Sequence, residues 1–183
     1  STDIRNRRIR GEKMPNVVDL GYFEKGSAEL ARDVLGKILC RMMPDGNVLR
    51  RRITETEAYY GEDDTAAHAH KGRTVRTEVL YTGYGRAYVY HCYMFWLLNL
   101  SCGPDGAPEC VLIRGVEGSD GPGRVSKAMG FSKDMYGKEL VPENGLWLED
   151  DGFVPERAVS GPRIGIPYAS EEDRNAPLNF RSV

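Results

Sequence analysis

Strand-like runs in this chain succeed one another in a block, with no helix spaced between them. Residues 86–93 alternate aromatic and aliphatic side chains, residues 95–101 form a second apolar run, and residues 110–117 form a third, with a turn over 103–109. A βαβ rhythm would place helices between strands. Its absence predicts an α+β fold with a mostly antiparallel sheet. Two further runs, 37–43 and 48–57, are joined by Pro44, Asp45, Gly46 and Asn47, a strong hairpin signal. Ser27 can cap a short helix whose Leu30, Ala31, Val34 and Leu35 make one apolar stripe and which Gly36 stops. A second short helix is expected after Gly121, ending at Ala128, and two more strands around 146–149 and 158–166. With 183 residues there is enough chain for one full core and too little for two ordinary ones. The expectation is one domain over 17–183 behind a flexible basic arm, 1–16, which carries Arg5, Arg7, Arg8, Arg10 and Lys13.

The net charge of −2 conceals a gradient. Residues 134–183 hold ten acidic and five basic side chains, a net −5, which leaves +3 on residues 1–133. A local basic face is therefore compatible with the sequence, although the total charge lends it no support. The longest uncharged apolar run, 92–102, is interrupted by Asn99 and is far too short to span a bilayer, and the first residues lack an apolar signal-type core. An intracellular protein without membrane contact is expected. The four cysteines, Cys40, Cys92, Cys102 and Cys110, show no C-x-x-C spacing and read as small buried hydrophobes.

Chemistry concentrates in a few segments. On a strand, Glu55, Glu57 and Tyr59 share one face, so two carboxylates and a phenol can line one cleft. The bland alternative is an exposed strand rim. Residues 61–86 are polar and too long for a simple connector, which marks a functional loop. Within it Asp63, Asp64 and His68 could offer oxygen and nitrogen ligands to a metal. Tyr88, Tyr90, Tyr93, Phe95 and Trp96 would by default pack a sheet, yet beside a carboxylate cleft such rings make a platform for a planar base. Arg114 interrupts an apolar strand and needs a buried or cleft-side anion, for which Glu57 is a candidate. Gly121, Pro122, Gly123 and Arg124 precede a helix and offer free N–H groups and a cation, suited to a phosphate, although such a run is more often only a turn.

Taken together, these segments resemble the alkyladenine (3-methyladenine) DNA glycosylase family of the human type. The motifs are Glu55-Thr56-Glu57-Ala58-Tyr59 with Ala66-Ala67-His68, Tyr88-Val89-Tyr90 with Tyr93, and Leu98-Asn99. Cys110-Val111-Leu112-Ile113-Arg114, Gly121-Pro122-Gly123-Arg124 and Arg163-Ile164-Gly165-Ile166 complete them. The resemblance implies a curved antiparallel sheet with a protruding hairpin, no cofactor and no metal, and a monomer acting on double-stranded DNA that contains damaged purines. It implies that Glu57 activates water and that Arg114 and the backbone carbonyl of Ile164 help to hold it. Tyr59 would stack on one face of an extruded base, with His68 and Tyr90 on the other, and Asn99 would crowd the 2-amino group of guanine. Tyr93 falls where the family fills the gap in the duplex, with Met94 as second candidate, because Met94 follows at once where a glycine is usual and the tip is one residue shorter. Gly121, Gly123 and Arg124 would face the DNA backbone. The implied reaction is hydrolytic excision of alkylated or deaminated purines: 3-methyladenine, 7-methylguanine, hypoxanthine and ethenoadenine. No lysine stands among the motifs to form a Schiff base, so strand cleavage is not expected. Two other readings of the same residues are a damaged-DNA-binding protein without catalysis and a metal-dependent hydrolase built on Asp63, Asp64 and His68.

Overall fold

Turn chemistry and alternation set the sheet of the computed structural model, which describes residues 16–104 and 106–183. Strand β1 (Ile38–Met42) turns through Asp45, whose carboxylate accepts from the Asn47 amide at 2.9 Å, into the twelve-residue β2 (Val48–Tyr59). The sequence block then supplies β3 (Ala87–Cys92), β4 (Phe95–Cys102) and β5 (Glu109–Val116), followed by the two-residue β6 (Ser119–Asp120). Farther along come β7 (Leu146–Glu149), β8 (Ala158–Gly161) and β9 (Asn179–Ser182). The strands form one open nine-stranded sheet in the order β3-β4-β5-β2-β1-β7, with β6 on β5, β9 on β2 and β8 on β9. Every named pair is antiparallel, as the block pattern predicted.

Strand β2 is the axis of this arrangement. Its first half pairs with β1, while from Ile53 onward it pairs with β5, and Glu55, Thr56 and Glu57 pair on the other side with β9. The ladder with β5 is irregular on both sides of Glu55, a bulge of the kind that re-aims side chains next to sites. Alternation then sorts β2 into two faces. Thr56 and Ala58 turn toward helix α1 (Ser27–Asp33), where the Thr56 hydroxyl donates to the Ala31 carbonyl at 2.7 Å. Glu55, Glu57 and Tyr59 turn to the opposite face.

The core lies under the helical face. Phe23, Leu30, Ala31 and Val34 from the α1 region meet Ile53, Leu100, Val111 and Ile113 of the sheet, and Val125 and Met129 of helix α2 (Pro122–Met129) complete the cluster. Each fully buried large side chain here contributes about 1.5–3 kcal/mol. Cys40, Cys102 and Cys110 are buried and Cys92 half-buried, all as free thiols, in line with the hydrophobe reading. Among the described residues, no helix is long and apolar enough to cross a membrane.

Two local expectations are corrected. Ser27 does not cap α1; it lies inside the helix, and its amide and hydroxyl both donate to Glu109 Oε1, a carboxylate brought to the helix start from β5. The strand expected over 158–166 ends at Gly161, because Pro162 has no N–H to continue the ladder with β9. Strand β9 itself was not foreseen. The basic arm lies outside the described residues except for Asn16, whose carbonyl accepts from the Asp150 amide at 2.7 Å.

Candidate active site

Opposite the helical face, the β2 bulge brings two carboxylates to one cation and one amide. Glu57 is fully buried. Its Oε1 accepts from the Tyr59 hydroxyl at 3.0 Å, and its Oε2 accepts from the Ile164 amide at 2.8 Å and from Asn179 Nδ2 at 2.9 Å. Asn179 sits directly across the ladder from Glu57, and its Nδ2 also donates to Glu55 Oε2 at 2.8 Å. Arg114 Nε lies 3.4 Å from Glu55 Oε2 and 3.7 Å from Glu57 Oε2. The anion that the strand arginine needed is thus a pair. Burial pushes the Glu57 carboxyl above its ordinary range, and Arg114, Asn179, the Ile164 amide and Tyr59 hold it back without cancelling the rise. An exposed strand rim is therefore not what this segment forms. Ile164 meets Glu57 through its amide, and its side chain points outward at 53 % exposure.

Beside this corner a narrow cleft with about 30 Å³ of interior space lies between Tyr59, His68, Tyr88, Tyr90, Asn99 and Tyr168. Its aromatic walls follow from alternation on β3, which turns Tyr88 and Tyr90 to one side. His68, in a short 3₁₀ turn of the long loop, stands edge-on to Tyr90 at 4.4 Å between centroids and shares a 2.7 Å hydrogen bond with the Tyr88 hydroxyl. Burial, with Arg76 and Lys71 adding to it, lowers the His68 pKa to about 4, so the ring is neutral at pH 7. Asn99 is buried at the back, its Nδ2 donating to the Tyr88 carbonyl at 3.3 Å. Tyr168 closes the mouth and donates to the Ala66 carbonyl at 3.2 Å.

The sequence that builds this buried carboxylate and its pocket of rings matches a family model. Residues 21–120 and 117–182 fit the model described as methylpurine-DNA glycosylase. The chain belongs to the methylpurine-DNA glycosylase family. Relatives in this family include a Psychrobacter cryohalolentis protein, 38 % identical over 89 % of this chain and 91 % of its own length. A Methanocella arvoryzae protein is 37 % identical over 88 % of this chain and 94 % of its own. One from Bacillus subtilis is 34 % identical over 90 % and 92 %. Each bears the provisional name 3-methyladenine DNA glycosylase. The two matched stretches of the methylpurine-DNA glycosylase model meet where β5 and β6 are joined by only Glu117 and Gly118.

The remaining residues singled out in the sequence fall in three places. Tyr93 and Met94 form the two-residue tip of the β3–β4 hairpin and are 92 % and 85 % exposed. Gly121 precedes α2 with φ +94°, and Arg124 is exposed in the first turn. Gly123 has a packing reason of its own, since a Cβ there would stand 2.9 Å from Phe95 Cδ2. Asp63, Asp64 and His68 are not brought together. Asp63 is exposed, His68 is engaged with Tyr88, and both Asp64 oxygens are occupied by Arg163 and by the Tyr60 and Ala66 amides. Among the described residues no three His, Cys, Asp or Glu side chains are grouped as metal ligands. Sequence reasoning missed Asn179, Tyr168 and the role of Arg163. The four-residue β9 is too short for periodicity to reveal, and Tyr168 lies in an irregular loop. Arg163, a charge between Pro162 and Ile164, was visible as a motif without a function.

Proposed function

We propose that this protein is a monofunctional DNA glycosylase of the human type that extrudes an alkylated or deaminated purine from duplex DNA and excises it by hydrolysis. The observation that carries this reading is Glu57, a fully buried carboxylate held by three donors beside an aromatic pocket. Such a group, raised in pKa by burial, is suited to take a proton at neutral pH. A water proton passes to the Glu57 carboxylate, the water oxygen bonds to C1′ of the sugar, and the C1′–N bond breaks with its electron pair leaving on the purine. The same carboxylate stabilises the positive charge that develops on the sugar. Arg114 and the Ile164 main chain keep the carboxylate and its water in place, and Glu55 is auxiliary. A 3- or 7-methylated purine already carries positive charge and leaves readily, so a second working carboxylate is not needed, whereas neutral hypoxanthine or ethenoadenine takes a proton from water as it leaves.

Recognition follows from the same pocket. Extrusion costs a few kcal/mol and least for a damaged, poorly paired base, which selects lesions before chemistry. Tyr59 faces one side of the extruded base, His68 and Tyr90 the other. A neutral His68 among tyrosines suits a cationic base, whereas an imidazolium would repel it. Asn99 at the back rejects the 2-amino group of guanine. Tyr93, or Met94 beside it, fills the gap left in the stack, and Gly121, Gly123 and Arg124 meet the DNA backbone.

Duplexes carrying 3-methyladenine, 7-methylguanine, hypoxanthine or ethenoadenine, incubated with and without chelator, test the reading. Abasic sites revealed by alkali on at least one lesion, unaffected by chelator, are expected. No product on any lesion would leave only a binding role, and nicking without alkali would contradict hydrolysis alone.

A further inference from the structure

One buried charge pair next to the carboxylate corner is not used by the chemistry above. Arg163 and Asp64 are both sealed from solvent in their side chains, and Arg163 Nη1 and Nη2 reach the two Asp64 oxygens at 2.6 and 3.0 Å. The remaining terminal N–H groups donate to the Ala58 carbonyl at 3.1 Å and the Asp173 carbonyl at 3.3 Å. Its guanidinium carbon also lies over the Tyr59 ring, 4.9 Å from the centroid. One side chain thereby joins β2, the long loop and the short helix α3 (Glu171–Asn175). The next residue in the chain is Ile164, whose amide donates to Glu57.

We infer that the Arg163–Asp64 pair is a positioning clasp that aims the Ile164 amide and the Tyr59 hydroxyl at Glu57. The inference rests on Glu57 being the base. Two arguments carry it. A buried ion pair adds little to stability, since an apolar pair of similar volume often holds a fold as well or better. Directional hold is what such a pair supplies, and here all four terminal N–H groups are spent on three separate segments. Around Arg163 the loop at 162–169 is thinly held: Pro162, Ile164, Gly165, Pro167 and Tyr168 are exposed, Ile166 and Ala169 pack inward, and the Tyr168 hydroxyl donates to the Ala66 carbonyl at 3.2 Å. A lysine has one ammonium and cannot span these acceptors, so the fork geometry of arginine is the requirement.

The groups facing Glu57 are Arg114 from β5, Glu55 and Tyr59 from β2, Tyr90 from β3, and Arg163 and Tyr168 from the loop. Loosening the Ile164 amide removes a donor to the charged carboxylate and leaves those charges in place, so the Glu57 pKa should rise further. In Arg163→Lys, the single-turnover rate on a cleaved lesion should fall by roughly 10- to 100-fold, the cost of a misplaced catalytic group. The enzyme concentration giving half that rate should change little, and the acidic limb of the rate profile should move to higher pH. Wild-type rate and limb, or a loss confined to the half-saturating concentration, overturn the proposal. If Arg163→Lys does not fold by thermal melting, the apolar pair Arg163→Met with Asp64→Leu decides. Folded and slow, with the half-saturating concentration unchanged, supports the clasp; folded and fast, or failure of both variants to fold, assigns the pair to structure. Glu57→Gln run alongside separates the two claims, because an active Glu57→Gln refutes the base itself, whatever Arg163 does.

Discussion

The floor of the site and the tip of the β3–β4 hairpin are built on opposite terms. At the floor, Glu57, Asn179, Arg163 and Asp64 are buried, and each carries at least two hydrogen bonds. At the tip, Tyr93 and Met94 stand almost fully in solvent, and Tyr93 adopts φ +55°, a left-handed conformation that costs a side chain about 1–2 kcal/mol. The hairpin root is nonetheless fixed, with Phe95 against Gly123 of α2. Under the proposed function, chemistry sits at the floor and recognition at the tip. Charge work needs groups fixed before the substrate arrives, whereas filling a gap in stacked DNA needs an apolar group held out from a rigid base.

Removing the floor's charge should have the largest effect. Glu57→Gln is expected to lower excision by roughly 10²–10⁴-fold, the usual worth of a general base, with lesion-duplex binding retained. Stability should move the other way. A carboxyl whose folded pKa is raised stabilises the fold below its ordinary range and loses that contribution as pH rises through the folded value. At pH 7 the variant should therefore melt no lower than the wild type. A lower melting temperature would show that the buried charge is paired well enough to stabilise.

At the tip, Tyr93→Ala should slow excision from duplex about tenfold and leave single-stranded substrate nearly untouched, since only the duplex has a gap to fill. Equal losses on both substrates would move Tyr93 out of this role and direct the search to Met94. Inside the pocket, Asn99→Ser should raise excision of guanine-type relative to adenine-type lesions several-fold, because rejection by crowding relaxes when the side chain shrinks. Unchanged ratios across a lesion panel would remove Asn99 from discrimination. The smallest effect is expected at His68. Its pKa drops from an ordinary 6.5 to about 4, so its contribution to stability is present above 6.5 and lost as pH falls toward 4. His68→Gln should flatten the decline of melting temperature across that window, and an unaltered slope would place the acid sensitivity elsewhere.

Much of this contrast was legible in the residues, for stated physical reasons. The block of strands gave the antiparallel sheet, and the period of two put Glu55, Glu57 and Tyr59 on one face, where the structure has them. Arg114 announced a buried anion because its neighbours are apolar. Partners that arrive from distant segments were not legible. Asn179 reaches Glu57 only because the four residues of β9 find the free edge of β2, and Glu109 reaches Ser27 only through the turn before β5. Asp64 illustrates the converse. Its spacing to His68 suggested a ligand set, yet a loop carboxylate near a buried arginine is neutralised by it, and nothing local in the sequence names that arginine.

If burial tunes Glu57 into the base of the proposed reaction, the pH dependence of single-turnover excision carries its signature. With saturating protein on a single lesion, the account predicts a rate that falls at acid pH through one ionisation lying above the ordinary carboxylate range, and the residual activity of Glu57→Gln should lack that limb. A wild-type rate that stays flat down through the ordinary carboxylate range, or a limb that survives unchanged in Glu57→Gln, would contradict it.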